Sequence, residues 1–198
     1  MERTREIHHR VKNNLQIIAS ILRLQMRGQE SPAAQEALAD AIHRLMGMVQ
    51  VHELLSRSEA EEVDLRELVE RILELDVQTF LLPGQVIRHE VRGEPTVVPA
   101  DRAAHLAVAV NELIINALKH AFRGRREGRV DVELRREGST LRLEIVDDGV
   151  GLPTDFTPAG SSSLGLRLVQ SIVRDDLQGT VGFRSEGGTR VDIRLSAP

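Results

Sequence analysis

Residues 6 to 16 read Glu-Ile-His-His-Arg-Val-Lys-Asn-Asn-Leu-Gln, with two adjacent histidines, two adjacent asparagines and almost no loop residues. Projected at 3.6 residues per turn, Ile7, Val11, Leu15, Ile18, Leu22 and Gln25 fall along one side of a helix, and His9, Asn13, Gln16 and Ser20 along the other. His9 is therefore expected to face solvent, while His8 sits at the shoulder of the apolar seam. A solvated imidazole has a pKa of about 6.5, so near neutral pH it offers a free lone pair and can act as a nucleophile. Taken alone, such a histidine is more often a plain surface residue, and the rest of the chain has to supply its reaction partner.

A second set of chemical groups lies more than a hundred residues on. In the run Asn111-Glu112-Leu113-Ile114-Ile115-Asn116-Ala117-Leu118-Lys119-His120, the residues Glu112, Asn116 and, slightly off that line, Lys119 recur one helical turn apart. An acid, an amide oxygen and a cation so spaced could hold a hydrated Mg²⁺ and a triphosphate, because Mg²⁺ takes oxygen ligands and keeps waters. An ordinary exposed polar face is the alternative; the apolar flanks Leu106, Val110, Leu113, Ile114 and Leu118 weigh against it. Asp147-Asp148-Gly149-Val150-Gly151 sets a carboxylate at a strand end before Gly-x-Gly. That suits a pocket accepting the exocyclic amine of adenine, with glycines allowing close approach. Ser163-Leu164-Gly165-Leu166 puts a glycine at a helix start, where free N–H groups and the positive dipole end would face phosphates. Gly187-Gly188-Thr189 adds a small turn with a hydroxyl. Each piece alone is commonplace; their order and placement together are not.

The bulk composition narrows the alternatives. The chain has 198 residues, 41% hydrophobic and 28% charged, which suits one medium domain or a helical module joined to an α/β domain. Aromatics make up 2%, so base stacking is nearly excluded, and a net charge of -4 argues against a nucleic-acid backbone as partner. The absence of cysteine removes disulfides, thiolate metal sites and cysteine nucleophiles, and fits a reducing cytoplasmic setting. No apolar run approaches the roughly 18 residues of a membrane helix.

These groups need elements to position them. Residues 4–27 read as an amphipathic helix, ended by Gly28 and followed by Ser31 as N-cap and Pro32 as first helical residue. A second helix runs to about Ser56, so the two form an antiparallel hairpin. One hairpin cannot bury both apolar seams, which predicts a homodimer through residues 4–56, closed as a four-helix bundle. Residues 56–62 are polar and read as a linker. Asp64 caps a third helix to about Asp76, with Glu67 at capping-box spacing. Strands are expected at 86–91 and 96–98, then a helix capped by Asp101 through about Ala121. Strands follow at 129–136 and 141–146, a loop at 151–163, a helix at 164–176, and strands at 180–185 and 190–195. The expected organisation is a helical hairpin over residues 1–60 and a mixed α/β sandwich with one helical layer over 61–198.

In this order the motifs are recognisable. Residues 101–198 resemble the ATP-binding domain of the GHKL superfamily, which includes gyrase, Hsp90, histidine kinases and MutL. The resemblance implies ATP and Mg²⁺ as cofactors. Asn116 would be the Mg²⁺ ligand, with Lys119 or His120 offsetting phosphate charge. Asp147, Gly149 and Gly151 match the first glycine box; Gly165, between Leu164 and Leu166, matches the second; Gly187-Gly188-Thr189 matches the third. Residues 152–163 match the mobile ATP lid. Glu112 matches the water-activating acid of the hydrolytic relatives; in a kinase it could instead reach Mg²⁺ through a water.

Residues 6–16 look like the phosphoacceptor box of histidine kinases with an H-R-x-K-N signature, close to the HWE group, with His9 as acceptor. Two departures stand out: no tryptophan is present, and Arg10 follows His9 where many histidine kinases carry an acid. Glu6 or Asn13 would have to assist, unless neutral imidazole needs no base. The resemblance implies the core of a sensor histidine kinase of a two-component system. His9 would be phosphorylated from ATP and would pass the phosphoryl group to an aspartate on a response-regulator receiver. An upstream sensor domain would precede this segment. A GHKL serine/threonine kinase of the anti-sigma type, or a plain ATPase, are the alternatives.

Overall fold

The computed structural model describes residues 2–56, 61–157 and 164–196, with side chains from residue 10 onward. It divides into two compact units, Met1–Glu59 and Ala60–Pro198.

The first unit is a hairpin of α1 (Glu2–Arg27) and α2 (Pro32–Ser56). The turn forms as its chemistry dictates: the Gly28 N–H donates to the Gln25 carbonyl at 3.1 Å. Ser31 Oγ accepts from the Ala34 N–H at 3.5 Å, and Pro32 opens α2. α1 and α2 pack along each other. The covered stripe of α1 is Lys12, Leu15, Ala19, Leu22 and Met26, with Ala19 fully buried. This corrects the projected seam. Leu15 and Leu22 belong to it, but Val11, Ile18 and Gln25 are exposed, as are Ile17, Ile21 and Leu24. One partner helix covers only one stripe, and α1 carries apolar side chains around more of its circumference than α2 can cover.

The second unit has a five-stranded sheet of order β2-β4-β5-β7-β6. Its strands are β2 (Val86–Arg92), β4 (Glu127–Glu137), β5 (Thr140–Asp147), β6 (Thr180–Ser185) and β7 (Thr189–Ser196). Only β2 runs parallel to its neighbour β4; the other pairs are antiparallel. The hairpin β4–β5 turns at Gly138, which takes φ +62°. β1 (Glu62–Asp64) and β3 (Val97–Pro99) form a separate antiparallel pair. The helices are α3 (Leu65–Phe80), α4 (Ala100–Asn116) and α5 (Leu164–Ser171). Both α4 and α5 continue into five-residue π-helical turns, Ala117–Ala121 and Ile172–Asp176.

The sheet's two faces have opposite chemistry because side chains alternate along a strand. Val130, Val132, Leu134, Leu141, Leu143, Ile145, Val191, Ile193 and Leu195 are buried on one face. The other face carries a charged lattice: the Arg142 guanidinium bonds Asp192 at 2.8 Å and Glu144 at 3.0 Å, and Arg194 bonds Asp192 at 2.9 Å. Burial alone would raise the Asp192 pKa, but the hydrogen bonds from Arg142 and Arg194 outweigh it and hold this carboxyl below its ordinary range.

Several element boundaries depart from the sequence expectations for local reasons. The linker is shorter than 56–62, because Glu62 opens β1; residues 57–60 lie outside the described residues. α3 runs to Phe80 rather than Asp76. Asp64 does cap it, accepting from Arg66 N–H at 3.0 Å and also from Thr96 N–H at 3.2 Å. Glu67, at the capping-box position, pairs with Arg71 instead. α4 starts at Ala100 with Pro99 before it, which places Asp101 inside the first turn rather than at the cap.

Candidate active site

Three segments distant in sequence meet at the C-terminal ends of β5 and α4. Asp147 is the last residue of β5, on the helix-covered face, and only 6% exposed. Its Oδ1 accepts from the Gly149 N–H at 2.9 Å and from the Thr189 N–H at 3.1 Å. Both of these bonds fall on one oxygen, so the carboxylate is held rigidly while Oδ2 stays outside them. Asp148, next along, turns the other way: its Oδ1 accepts from the Arg129 N–H at 2.8 Å and its carboxylate lies 3.6 Å from Arg125. The first acid serves the interior and the second closes the entry into β4.

The glycines are required by backbone contact. A Cβ on Gly149 would lie 2.4 Å from the Ala121 carbonyl oxygen, at the end of the π-helical turn. The neighbouring Val150 N–H donates to that same carbonyl at 3.0 Å, which welds the Asp-x-Gly-x-Gly loop to α4. A Cβ on Gly188 would lie 1.9 Å from the Asp147 carbonyl oxygen, and Gly188 takes φ +144°. Gly151 takes φ +76°. Just beyond it, the Leu152 N–H donates to Ser185 Oγ at 3.1 Å and Phe156 packs edge-on against Phe183 at 5.7 Å. The first part of the 152–163 loop is thus tied to β6; residues 158–163 lie outside the described residues. Gly165 is buried in the first turn of α5, between exposed Leu164 and half-buried Leu166.

On α4, Glu112 is 3% exposed and sits in the helical layer rather than on an open polar face. Asn116 ends α4 half-buried, and its side-chain nitrogen is buried with no hydrogen-bond partner. The π-helical turn then carries Lys119 and His120. The Lys119 ammonium lies 5.4 Å from the centre of the Phe80 ring, a cation–π contact with the end of α3. His120 is exposed, with Nδ1 3.1 Å from the Arg123 guanidinium. A wide helical turn at this point frees backbone groups and redirects side chains, as such turns do at functional sites.

One acid was missed in the sequence. Asp76 on α3 is 1% exposed, its Oδ2 has no partner, and burial together with the nearby Glu112 charge pushes its pKa up to about 8. Its signal was available: Asp76 continues the apolar stripe Leu65, Leu68, Val69, Ile72, Leu73 that α3 buries, and a carboxyl in such a stripe is anomalous. Ser185, Phe156 and Phe183 were also missed.

In the first unit, His9 lies within α1 and so do Glu6 and His8, but their side chains lie outside the described residues. Asn13, one turn after His9, is exposed. Lys12 pairs with Glu53 of α2. Among the described residues no helix is long and apolar enough to cross a membrane, and no group of three or more His, Cys, Asp or Glu could hold a metal ion.

Two family models match this chain in series. Residues 6–79 match the family described as histidine kinase. Residues 101–198 match the family described as histidine kinase-, DNA gyrase B- and HSP90-like ATPase. The sensor histidine kinase PdtaS of Mycobacterium tuberculosis is 41% identical over 196 residues, covering 96% of this chain and 38% of the relative. Blue-light-activated histidine kinase 2 of Erythrobacter litoralis is 27% identical, covering 98% of this chain and 56% of the relative. The chain therefore spans well under two thirds of these relatives. Among solved structures, the histidine kinase domain of an Erythrobacter litoralis blue-light activated histidine kinase superposes with a TM-score of 0.67 at 26% identity, over 98% of this chain and 91% of that one. The ATP-binding domain of PrrB from Mycobacterium tuberculosis superposes at 0.54 with 25% identity, over 69% of this chain and 96% of that one. The two family matches and the 41% identity with a sensor histidine kinase over 96% of this chain place it in the histidine kinase family, with its C-terminal half a GHKL ATP-binding domain.

Proposed function

We propose that this chain is the kinase core of a two-component sensor, which binds ATP in its second unit and transfers the γ-phosphoryl group to His9. The observation that carries the nucleotide half is the Asp147 carboxylate, fixed by the Gly149 and Thr189 N–H groups on one oxygen. The other oxygen is then the acceptor for the exocyclic amine of adenine. Gly188 lets the third glycine turn lie directly on the Asp147 backbone, and Gly151 opens the loop that covers the nucleotide. Gly165, at the start of α5, offers backbone N–H groups to the phosphates.

Asn116 fits Mg²⁺: it ends α4 next to the turn that meets the Asp-x-Gly-x-Gly loop, and its amide offers a hard oxygen of the kind this ion takes. When bound, the ion would neutralise triphosphate charge. Lys119 and His120 add positive or hydrogen-bonding character on the adjoining turn, and Glu112 orders water between helix and phosphates. His9 attacks in line: a ring nitrogen forms the N–P bond as the P–O bond to ADP breaks. The ring proton is lost to water or to the Glu6 carboxylate, three residues before His9; the Asn13 amide, four residues after it, can take only a hydrogen bond from the ring. The histidine would then hand the group to an aspartate of a response-regulator receiver docked on the hairpin. The exposed apolar residues Val11, Ile17, Ile18, Ile21 and Leu24 of α1 support a homodimer through the hairpin.

Incubation with γ-labelled ATP tests this reading. The protein should take up label that is lost in acid and retained in alkali, and His9→Ala should bind ATP as the parent does yet take up none. Acid-stable label would point to a serine/threonine kinase, and phosphate release without label to an ATPase.

A further inference from the structure

A serine hydroxyl can donate one hydrogen bond and accept two, so it can join two backbone segments at once. Ser185, the last residue of β6, does so: its Oγ accepts from the Leu152 N–H at 3.1 Å and donates to the Gly188 carbonyl at 3.3 Å. Leu152 follows the glycine that closes the Asp-x-Gly-x-Gly run, and Gly188 precedes the residue whose N–H holds Asp147. A Cβ on Gly151 would lie 2.3 Å from the same Ser185 Oγ, so the hydroxyl also fills the space that Gly151 leaves open.

The chain beyond Leu152 returns to the same strand. The Phe156 N–H donates to the Pro153 carbonyl at 3.0 Å, which closes a turn, and the Phe156 ring meets Phe183 edge-on. Phe183 and Ser185 stand two apart on β6 and so share a face. Their partners across the ladder are Val191 and Thr189, and Val191 is buried on the helix-covered face that also carries Asp147. β6 is an edge strand, paired only with β7. A polar contact at Leu152 and an aromatic contact at Phe156 thus hold residues 152–156 on the edge of the sheet, beside the third glycine turn.

We propose that Ser185 is a positioning residue of the nucleotide site: through the Leu152 N–H and the Gly188 carbonyl it sets the direction in which the chain leaves Gly151, and thereby ATP affinity, without taking part in phosphoryl transfer. This rests on the functional reading above, in which the loop after Gly151 covers the nucleotide. The Gly188 carbonyl keeps a second donor, the Glu186 N–H at 3.0 Å, so loss of the hydroxyl frees the Leu152 N–H and leaves the β6–β7 turn in place.

The test compares the whole chain with Ser185→Ala and Ser185→Thr. ATP affinity is read by calorimetric titration, the rate at saturating ATP by autophosphorylation, and backbone opening by amide hydrogen exchange of the nucleotide-free protein. Alanine should weaken ATP binding about five- to tenfold, while the saturated rate stays within about twofold of the parent. Exchange should quicken about tenfold in residues 152–156 and stay parent-like in 186–189, with the melting temperature unchanged. Threonine keeps the hydroxyl and should bring affinity and exchange back to within about twofold of the parent. If its added methyl lowers the melting temperature, Ser185→Cys takes its place; the thiol keeps a weak donor and acceptor, so it should bind ATP more tightly than the alanine variant.

Parent-like ATP affinity in Ser185→Ala would overturn the assignment. So would faster exchange confined to residues 186–189, which marks a role in the β6–β7 turn alone, or a folded threonine variant as weak as the alanine one. A parent that binds ATP but labels no histidine contradicts the functional reading itself, whereas parent-like affinity in Ser185→Ala contradicts only the role of Ser185.

Discussion

The Lys12 ammonium of α1 is paired with the Glu53 carboxylate of α2, so the lysine of the H-R-x-K-N run joins the two helices of the hairpin. It belongs to the covered stripe with Leu15, Ala19, Leu22 and Met26, one turn from His9 in sequence. In sequence only Glu6 and Asn13 are candidates to assist the histidine, and Lys12 has no assigned role. In the structure this lysine holds the scaffold on which the histidine stands. Both side chains remain about one third exposed, 35% and 36%, so the pair is screened by water and contributes modestly. Glu53→Gln or Lys12→Met should each cost about 0.5 kcal/mol of hairpin stability, and the exchange Lys12→Glu with Glu53→Lys should recover most of it. Denaturation monitored by circular dichroism checks this. Full additivity of the two single losses would show that the pair contributes nothing of its own.

Asp147→Asn separates holding the glycine turns from the adenine contact proposed for this acid. The asparagine Oδ1 can still accept from the Gly149 and Thr189 N–H groups, so the loop should keep its form. The second oxygen, proposed to accept from adenine, becomes an amide donor. ATP affinity should fall by about 10- to 100-fold, while the melting temperature moves by only a few degrees. Calorimetric titration and thermal melting together read the difference.

The glycine turns predict a contrast within one domain. Gly188→Ala would place a methyl carbon 1.9 Å from the Asp147 carbonyl oxygen, at a φ of +144° that alanine rarely adopts. Gly149→Ala meets the Ala121 carbonyl at 2.4 Å. Both should lose ATP binding and destabilise the domain by on the order of 2 kcal/mol or more. Gly182→Ala on the edge strand β6 meets nothing within 4 Å and should change stability by less than about 0.5 kcal/mol. Nucleotide binding and denaturant midpoints of the three variants distinguish contact from mere glycine content.

Stability should depend on pH through Asp76. Burial, with the nearby Glu112 charge, pushes its pKa up to about 8 in the folded chain from an ordinary 3.8. Between those values the unfolded chain has lost this proton and the folded chain keeps it, so the native state binds more protons and stability falls as pH rises. The decline should span pH 4 to 8, flatten above, and amount to a few kcal/mol. Asp76→Asn should remove this contribution, so its advantage over the parent grows with pH through that window. Urea denaturation of parent and variant across the window measures it; an advantage independent of pH would contradict the buried proton.

Much of the fold was legible because its signals are local. Gly28, Ser31 and Pro32 mark the hairpin turn, and strict alternation marks β4 and β5. Asp64 marks the start of α3, and the glycine pairs mark the turns around the pocket. What escaped depends on tertiary context. The stripe of α1 facing α2 could not be told from its other apolar stripes by periodicity alone, since Val11, Ile18 and Ile21 are spaced as well as Leu15, Ala19 and Leu22. The π-helical turn after Asn116 forms where Val150 takes the Ala121 carbonyl, a contact set by a loop far along the chain. Asp76 was hidden as the expected polar end of a helix that in fact runs on to Phe80. At the site itself, the motifs named Asp147, Gly149, Gly151, Gly165, Asn116 and Thr189; the structure joins Asp147, Gly149 and Thr189 by hydrogen bonds and adds Ser185, Phe156 and Phe183 along the loop that follows them.

The central claim is that ATP bound in the second unit phosphorylates His9. The most direct measurement is mass spectrometry of the ATP-incubated protein, digested and handled at neutral pH to preserve phosphoramidate bonds. The account predicts one phosphohistidine, on His9. A phosphoryl group on His8 in place of His9, or on a serine or threonine, or a protein that consumes ATP while every histidine remains unmodified, would contradict it.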